Sequence, residues 1–342
     1  MRTVPLCLIG FGNVGQAFAR MLLKKRALVE KNYQINFIVT AISTGQHGTA
    51  IDRDGIDLMK ALHLIENRLT LQELSKASPN LSLSEIMRQS GAEVMLENTP
   101  VNYTDGQPAL NHIFTGLNAG LHAITANKGA VLHGYQSLTE LASKQNNQFL
   151  FESSVMDGAP IFSLFRKTLP ALELNGFEGI LNSCTNLLLE RMEDGETLDS
   201  ALDFARSIGI TETDPSGDID GWDAAIKVTL LVNVLMNFPI KLDEVNRKGI
   251  RAIQPTELQA AKKEGLKWKL VCKANKEGGK VTASVAPEKV SPKSPLFSVN
   301  GTSSFILFKT DSLPGLGILE SNPGPDTTAY GLLSDLLTIY SR

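Results

Sequence analysis

Carboxylates are concentrated in one short stretch of this chain. Five of them fall within twelve residues, at Glu212, Asp214, Asp218, Asp220 and Asp223. Pro215 and two nearby glycines interrupt regular structure, so we expect these acids on a bent loop, a kind of segment that often carries a binding site. Glu212, Asp218 and Asp223 are candidates for holding the ammonium group of a substrate.

The acidic loop leads into an apolar stretch that contains a lysine. The run that follows Asp223, A-A-I-K-V-T-L-L-V-N-V-L-M-N-F, stops at Pro239 and predicts a buried helix. Lys227 lies four residues after Asp223 and therefore shares its helix face. Burial favours a neutral lysine and a neighbouring carboxylate favours a charged one, a balance that suits proton transfer. The alternative is an ordinary salt bridge at the start of a helix.

The N-terminus has the pattern of a dinucleotide-binding turn. Gly10, Gly12 and Gly15 have the spacing G-x-G-x-x-G between a predicted strand and a predicted helix, which is the context in which this motif binds a dinucleotide. The glycines permit a tight turn and close approach of a ligand. The start of the helix, with Asn13 and Val14, is expected to receive a pyrophosphate.

The end of the second predicted strand favours NADP over NAD. NAD sites usually have an acid there, which binds the ribose 2′-hydroxyl. This chain has Ser43 and Thr44 instead, with Arg53 further on. No acid would repel a 2′-phosphate, and these three side chains are candidates to bind one. NAD remains the alternative, as does an ordinary polar loop.

Two further predicted strands end in polar residues. A-E-V-M-L-E-N-T-P ends with Thr99 and Pro100, and a strand that ends at Thr125 is followed by Asn127 and Lys128. Ligands of doubly wound sheets bind at the carboxyl ends of the strands. These residues are therefore candidate cofactor contacts, although a lysine after a strand can also be a simple surface residue.

Composition points to a globular enzyme with a small-molecule partner. The chain has 342 residues, 42% of them hydrophobic and 20% charged, and a net charge of −3, so neither nucleic acid nor a membrane is an expected partner. The length predicts two domains or one large domain with an insertion. Three dispersed cysteines argue against disulfides or a zinc site, and the absence of an apparent signal peptide agrees with a cytoplasmic setting.

The order and spacing of these motifs resemble the homoserine dehydrogenase family. Positions that match its signature, which ends in D-x-x-G-x-D-x-x-x-K, are Ala205, Gly209, Ile210, Thr211, Asp214, Pro215, Asp218, Ile219, Gly221, Asp223 and Lys227. T-A-N-K resembles the family's motif beside the nicotinamide. The resemblance implies that Lys128 and Lys227 are catalytic and act from opposite sides of a cleft.

A third motif, G-I-L-N-S-C-T-N, resembles the family's G-I-L-N-G-T-T-N. The resemblance implies that Asn182 and Thr185 contribute to substrate binding. Ser183 and Cys184 replace the family's Gly-Thr, and a cysteine is a poor hydrogen-bond donor. Cys184 is expected to be a buried structural thiol, with a redox switch as the alternative.

Two segments near the domain boundaries also resemble family features. In some relatives a turn like E-S-S-V-M-D-G-A-P holds a monovalent cation, which makes Glu152 and Val155 candidates for binding Na⁺ or K⁺. A turn without a metal is the alternative. The C-terminal helix resembles one that returns to the nucleotide domain, and Gly324 and Thr328 are candidate cofactor contacts in that segment.

The resemblance implies an α/β fold with an N-terminal Rossmann-type, doubly wound parallel sheet. We expect this dinucleotide-binding domain over residues 1–135, joined by the returning segment 321–342. An α+β domain over 136–320 is expected to bind substrate and to form a homodimer through its sheet. No regulatory domain is expected.

The implied activity is reversible, NADP-linked interconversion of L-homoserine and L-aspartate 4-semialdehyde, a step toward threonine and methionine. Two alternatives remain at this stage. One is another Rossmann-type amino-acid dehydrogenase, and the other is a non-catalytic NADP-binding relative, which the presence of both lysines and the signature carboxylates disfavours.

Overall fold

The computed structural model describes residues 1–211 and 214–340. The elements of the first part of the chain are β1 (Arg2–Ile9), α1 (Asn13–Tyr33), β2 (Ile35–Ser43), β3 (Thr49–Ile51), α2 (Leu58–Glu66), α3 (Leu83–Ser90), β4 (Val94–Glu97), α4 (Ala109–Asn118), β5 (His122–Thr125), α5 (Lys128–Lys144) and β6 (Phe149–Leu150). The later elements are β7 (Leu174–Ile180), α6 (Ser183–Glu193), α7 (Leu198–Ser207), α8 (Ser216–Ile219), α9 (Trp222–Leu235), β8 (Asn246–Arg247), α10 (Pro255–Lys263), β9 (Lys267–Glu277), β10 (Lys280–Val290), β11 (Ser304–Thr310), β12 (Leu316–Glu320) and α11 (Pro325–Tyr340). Within the described ranges, none of these helices is both long enough and apolar enough to cross a membrane.

The chain divides into two compact units. The first comprises Met1–Pro160 and Gly324–Arg342, and the second comprises Ile161–Pro323. The boundary expected from the sequence, at residue 135, lies inside α5 and therefore within the first unit.

The first unit is built on a sheet of the Rossmann type. Its strands have the order β3-β2-β1-β4-β5-β6, and all except β3 run parallel to their neighbours. The apolar sequence V-P-L-C-L-I in β1 is buried almost throughout, as expected for a parallel strand that is covered on both faces. The predicted doubly wound parallel sheet is confirmed.

One edge of this sheet differs from the prediction. β3 pairs antiparallel with β2, so that Ser43 lies opposite Thr49. Residues 44–48 are too few to form a crossover to a parallel strand, whereas a hairpin needs only a short loop. The polar residues after Ser43 therefore form a hairpin loop.

The core of the first unit lies between the sheet and helices on its faces. Phe18 of α1, Leu6 of β1 and Leu336 of α11 are fully buried and belong to one hydrophobic cluster. Because α11 supplies several apolar side chains to this cluster, the C-terminal helix is an integral part of the first unit.

The second unit has a sheet with the order β12-β11-β7-β9-β10-β8. β8 is parallel to β10, and the other strand pairs are antiparallel. Helices α6, α9 and α10 pack on β9. α9 is buried along most of its length, which explains why its sequence is apolar on every side. The predicted α+β architecture is confirmed.

A lysine is buried in this second unit. Lys269 of β9 is 2% exposed, and its Nζ donates to Oδ1 of Asn186 at 2.8 Å and to the carbonyl of Val299. Burial lowers the pKa of Lys269 from its usual value to about 8, because a charged ammonium loses hydration there.

This burial predicts a specific dependence of stability on pH. Between pH 8 and about 10.4, the usual lysine pKa, the unfolded chain binds the proton that folded Lys269 has released, so stability should rise with pH. In this range the slope of the unfolding free energy against pH that is due to Lys269 should approach about 1.4 kcal/mol per pH unit at most. Urea unfolding gives the unfolding free energy of wild type and Lys269→Met at each pH. The difference between these two pH profiles measures the effect of Lys269.

The control is Lys276→Met, at the exposed end of the same strand. Its profile should follow that of the wild type. Parallel profiles for Lys269→Met and Lys276→Met would contradict the assignment.

Candidate active site

Lys227 of α9 has its ammonium group largely enclosed. Its Nζ is 3.0 Å from Oδ2 of Asp223 and donates to the carbonyl oxygen of Leu181 at 2.7 Å. The side chains of Lys227 and Asp223 are only 16% and 8% exposed. The helical spacing of four residues brings the two groups together, and their low exposure limits screening by water.

Asn182 connects this pair to a second carboxylate. Its Nδ2 donates to Oδ1 of Asp218 at 2.7 Å and to Oδ2 of Asp223 at 2.9 Å. Its Oδ1 accepts from the backbone amide of Thr185 at 2.8 Å and from the Thr185 hydroxyl at 2.9 Å. Asn182 is therefore both the N-cap of α6 and the bridge between the carboxylates. The Thr185 hydroxyl is buried against Asn182.

The acidic loop contributes Asp218 to the cluster. Asp218 lies on the short helix α8, and its Oδ2 accepts from the Thr211 hydroxyl at 3.0 Å. Glu212, predicted to bind substrate, lies outside the described residues. The site therefore contains Asn182, Asp218, Asp223 and Lys227 in one hydrogen-bonded cluster.

The other two described acids of the loop have different partners. Asp220 forms a two-oxygen ion pair with Arg251, with both N–O distances 2.8 Å, and this hydrogen bonding lowers the pKa of Asp220. Asp214 accepts from the backbone amide of Ser216 at 3.0 Å, which likewise lowers its pKa. These contacts shape the loop around the cluster.

The Ser-Cys pair lies at the start of α6. Ser183 exchanges a hydrogen bond of 3.2 Å with Ser304, and Cys184 is free and 3% exposed. Burial, followed by the nearby charge of Asp218, raises the pKa of the Cys184 thiol. A buried, protonated thiol is a poor nucleophile, which favours the structural role over the redox switch.

In the first unit, the three glycines of the N-terminal turn have different surroundings. A Cβ on Gly10, whose φ is +92°, would lie 2.6 Å from the backbone carbonyl of Asn98, and one on Gly15 would lie 2.7 Å from the Gly10 oxygen. A Cβ on Gly12 would have no described atom within 4 Å. Packing therefore explains the first and third glycines, while the second leaves space above the turn.

The start of α1 is suited to an anion. Gly12 is its N-cap and provides no side-chain hydrogen bond, and the first turn contains Asn13 and Val14 but no acid. Backbone amides in the first turn of a helix have no partner within the helix. Together with the space above Gly12, this matches the site expected for a pyrophosphate.

The three candidate residues for binding a 2′-phosphate, Ser43, Thr44 and Arg53, do not form one group in the structure. The Ser43 hydroxyl lies 3.0 Å from that of Thr49, and the Thr44 hydroxyl donates to the carbonyl of Gly48 at 3.1 Å. Arg53 instead donates to the backbone carbonyls of residues 88 and 89, at the end of α3. The structure thus groups Ser43 and Thr44 in the β2–β3 hairpin and binds Arg53 to α3.

Asn127 organises the ends of β4 and β5. Its Nδ2 donates to the carbonyls of Thr99 and Pro100 at 3.1 and 3.3 Å. Its Oδ1 caps α5 through the amides of Gly129 and Ala130. Lys128 is the first residue of α5, and its Nζ lies 5.8 Å from the centre of the Tyr103 ring.

The ends of β4 and β5 also contain a buried acid, Glu97, that the sequence analysis did not single out. Glu97 is fully buried, accepts from the hydroxyls of Thr99 and Thr125, and lies 3.3 Å from Nδ1 of His112. A glutamate at the end of the apolar strand V-M-L-E was a signal that could have revealed it. It ties the polar ends of β4 and β5 together.

The remaining candidates lie near α11. Glu152 and Val155 are buried, and the Glu152 backbone amide donates to Asp335 at 2.8 Å. The Thr328 hydroxyl donates to the carbonyl of Gly324 at 3.1 Å. Na⁺ or K⁺ binding and the cofactor contacts of this segment stay predictions. Among the described residues, no three His, Cys, Asp or Glu side chains are grouped to hold a metal ion.

Comparisons with known proteins support this division of roles. The model of the homoserine dehydrogenase family matches residues 160–337, and that of the homoserine dehydrogenase NAD-binding domain matches residues 10–152. The chain belongs to the homoserine dehydrogenase family. The first unit is thus the nicotinamide-cofactor domain of this family.

Relatives match the chain along its whole length. Homoserine dehydrogenase of Methanocaldococcus jannaschii is 36% identical over 339 residues, 99% of each chain. The NAD(+)-dependent homoserine dehydrogenase of Pseudomonas canavaninivorans is 30% identical over 342 residues, 99% of this chain and 97% of that one. A hyperthermophilic archaeal homoserine dehydrogenase in complex with NADPH has a TM-score of 0.83 and 28% identity, with coverage of 98% and 97%.

The glycine turn yields a testable contrast within this homoserine dehydrogenase fold. Gly12→Ala should leave the melting temperature unchanged, because its Cβ enters open space, while weakening NADPH binding by roughly tenfold or more if a phosphate occupies that space. Gly15→Ala should lower the melting temperature, because its Cβ would collide with a backbone oxygen. Thermal unfolding and NADPH titration measure the two effects. Equal stability losses in both variants would contradict this reading.

Proposed function

We propose that this chain is an NADP-preferring homoserine dehydrogenase that interconverts L-homoserine and L-aspartate 4-semialdehyde. The observation that carries the proposal is the cluster of Lys227, Asp223, Asn182 and Asp218. All four belong to motifs that the chain shares with the family. A cytoplasmic, biosynthetic role is part of this proposal.

The charge of the cluster suits an amino-acid substrate. Two carboxylates and one ammonium group leave a net negative charge, and limited screening strengthens attraction for the substrate's α-ammonium group. We assign that contact to Asp218 and Glu212. Asp223 faces Lys227 and holds it in place, and Thr185 acts by fixing Asn182.

Lys227 is the proposed carrier of the proton on the reacting oxygen. Its Nζ has three N–H directions, of which the Leu181 carbonyl and Asp223 take two. Among the described residues no further contact of this Nζ is seen, and we assign its third direction to the substrate oxygen. When homoserine is oxidised, the neutral amine accepts the hydroxyl proton, and in the reverse direction the ammonium group returns it. Lys128, the first residue of α5, is proposed to polarise the same oxygen.

The cofactor would be held by the carboxyl edge of the first sheet. Its pyrophosphate would lie over Gly12, and its reactive end would lie near Asn127 and Lys128. The nicotinamide accepts or supplies the hydride when bound. The preference for NADP rests on Ser43 and Thr44 at the end of β2, where an acid would favour NAD.

A second copy of the chain is the proposed partner. In the outer strands of the second sheet, Leu319 is 59% exposed and lies opposite the partly exposed Phe305. An exposed apolar edge of a sheet favours association. We therefore propose a homodimer formed through this sheet. Analytical ultracentrifugation should give twice the chain mass of 37.1 kDa, and a monomer at micromolar concentration would contradict the proposal.

Initial rates test the activity and the cofactor preference together. L-homoserine should reduce NADP faster than NAD, and L-aspartate 4-semialdehyde should oxidise NADPH faster than other aldehydes or 2-oxo acids do. Faster reaction with NAD would contradict the NADP preference alone. Tight NADPH binding without turnover of either substrate would favour the non-catalytic alternative, and turnover of another substrate would favour the other dehydrogenase.

The two lysines can be tested separately and together. Lys227→Met and Lys128→Met should each lower kcat by roughly 10²-fold, a typical loss for a proton-transferring or polarising group. Because both act on one oxygen, the double variant should lose less than the product of the single losses. NADPH affinity should stay within a few-fold of the wild type.

Lys280→Met, at an exposed position of β10, is the matched control and should leave kcat unchanged. A near wild-type kcat for either single variant across pH 7 to 10 would make that lysine structural. Thermal unfolding of Lys227→Met separates lost chemistry from lost folding.

A further inference from the structure

Asn98 has two buried side-chain polar atoms whose hydrogen-bonding capacity is unused in the described part of the chain. It directly follows β4, and its backbone amide donates to the carbonyl of Ile9 at 2.7 Å. Both side-chain atoms that can form hydrogen bonds, Oδ1 and Nδ2, are buried and have no partner in the part of the chain that the structure describes. The main chain is therefore fixed while the amide group is unsatisfied.

This arrangement is costly for a folded protein. An unsatisfied buried polar group destabilises the folded state, because it has lost its bonds to water, and most buried polar groups have a partner. The neighbouring side chains follow that rule, since Glu97 and Thr99 bond to each other and Asn127 bonds through both ends of its amide. Judged by the residues that the structure describes, Asn98 is the exception within this polar edge of the sheet.

Its place in the fold indicates which ligand could satisfy it. The carbonyl of Asn98 lies against Gly10, where an added Cβ would approach it to 2.6 Å. β4 flanks β1 on one side and β2 flanks it on the other, so Asn98 lies where the strand order reverses, the usual location of a bound nucleotide in such sheets.

The two sides of β1 are expected to serve different halves of a dinucleotide. The end of β2, at Ser43, corresponds to the adenosine ribose, and the pyrophosphate belongs over Gly12 at the start of α1. The ribose beyond the pyrophosphate is the nicotinamide ribose, and a cofactor bound in this way would place it toward the end of β4. A ribose hydroxyl both donates and accepts, as the amide of Asn98 does.

We propose that the side-chain amide of Asn98 hydrogen-bonds the nicotinamide ribose of the cofactor and is a determinant of cofactor affinity. The inference rests on the proposed cofactor site and goes beyond it by assigning one residue to one part of the ligand. It also gives a role to an asparagine at a position where an apolar residue would suit the unbound protein better.

The test compares Asn98→Leu with wild type in two measurements, the melting temperature of the cofactor-free chain and the Kd for NADPH. Replacing an unsatisfied amide by an apolar group of similar size should leave the melting temperature of the cofactor-free chain unchanged or raise it. The same change should raise the Kd for NADPH by roughly tenfold. A residue that only supports the fold would instead show a lower melting temperature.

A fragment locates the contact on the cofactor. Adenosine 2′-phosphate 5′-diphosphate has the adenosine half of NADPH and lacks the nicotinamide ribose. Calorimetric titration should therefore give the same Kd for this fragment with wild type and with Asn98→Leu. Only the Kd for NADPH should be higher in the variant.

Asn36→Leu is the matched control. Asn36 lies at the opposite, amino end of β2 and also has a buried side-chain oxygen without a partner in the described chain. This variant should bind NADPH as the wild type does.

Each outcome has a distinct meaning. An unchanged Kd for NADPH in Asn98→Leu, an equal loss for NADPH and the fragment, or a marked fall in melting temperature would overturn the inference. A wild-type chain that binds no NADPH overturns both this inference and the cofactor proposal. NADPH binding that depends on Asn98, without turnover of homoserine, would support the inference while the proposed function fails.

Discussion

The proposed active-site cluster depends on one amide group placed between two carboxylates. Asp218 and Asp223 lie within reach of the same Nδ2, that of Asn182, and two like charges in an enclosed site raise each other's energy. The donor of Asn182 and the ammonium group of Lys227 offset this repulsion. An aspartate at position 182 would add a third negative charge, and a leucine would leave both carboxylates without that donor.

The same side chain also determines where a helix begins. Oδ1 of Asn182 caps α6 through Thr185, so its amide cannot rotate without losing contacts at both ends. Helix start and carboxylate positions are thereby coupled. The cluster is consequently organised without a ligand, which is the condition for the proposed site to act on a reacting group without reorganisation. In the first unit, the corresponding constraint is steric, because the turn at Gly10 brings β1 close to the end of β4.

Local spacing made some of these features predictable. The apolar run after Asp223 indicated a buried helix, and its four-residue spacing to Lys227 indicated a contact. The N-terminal glycines indicated the nucleotide turn, since that motif is formed by consecutive residues. Arg53 shows the limit of such reasoning. It follows the second strand in sequence, yet its guanidinium group hydrogen-bonds to the end of α3, because the β2–β3 hairpin turns the chain back.

The sequence by itself determined the types of elements, the family resemblance and the residues able to carry charge, because these follow from local periodicity and short motifs. Only the tertiary structure decided which distant polar groups satisfy one another. Asn182 contacts Asp218 across 36 positions of sequence, and Lys269 of β9 is buried and bonds to Asn186 of another segment. The side-chain amide of Asn98 has no partner within residues 1–211 and 214–340. Burial and hydrogen-bond satisfaction depend on the packing of separate segments, and no local pattern contains that information.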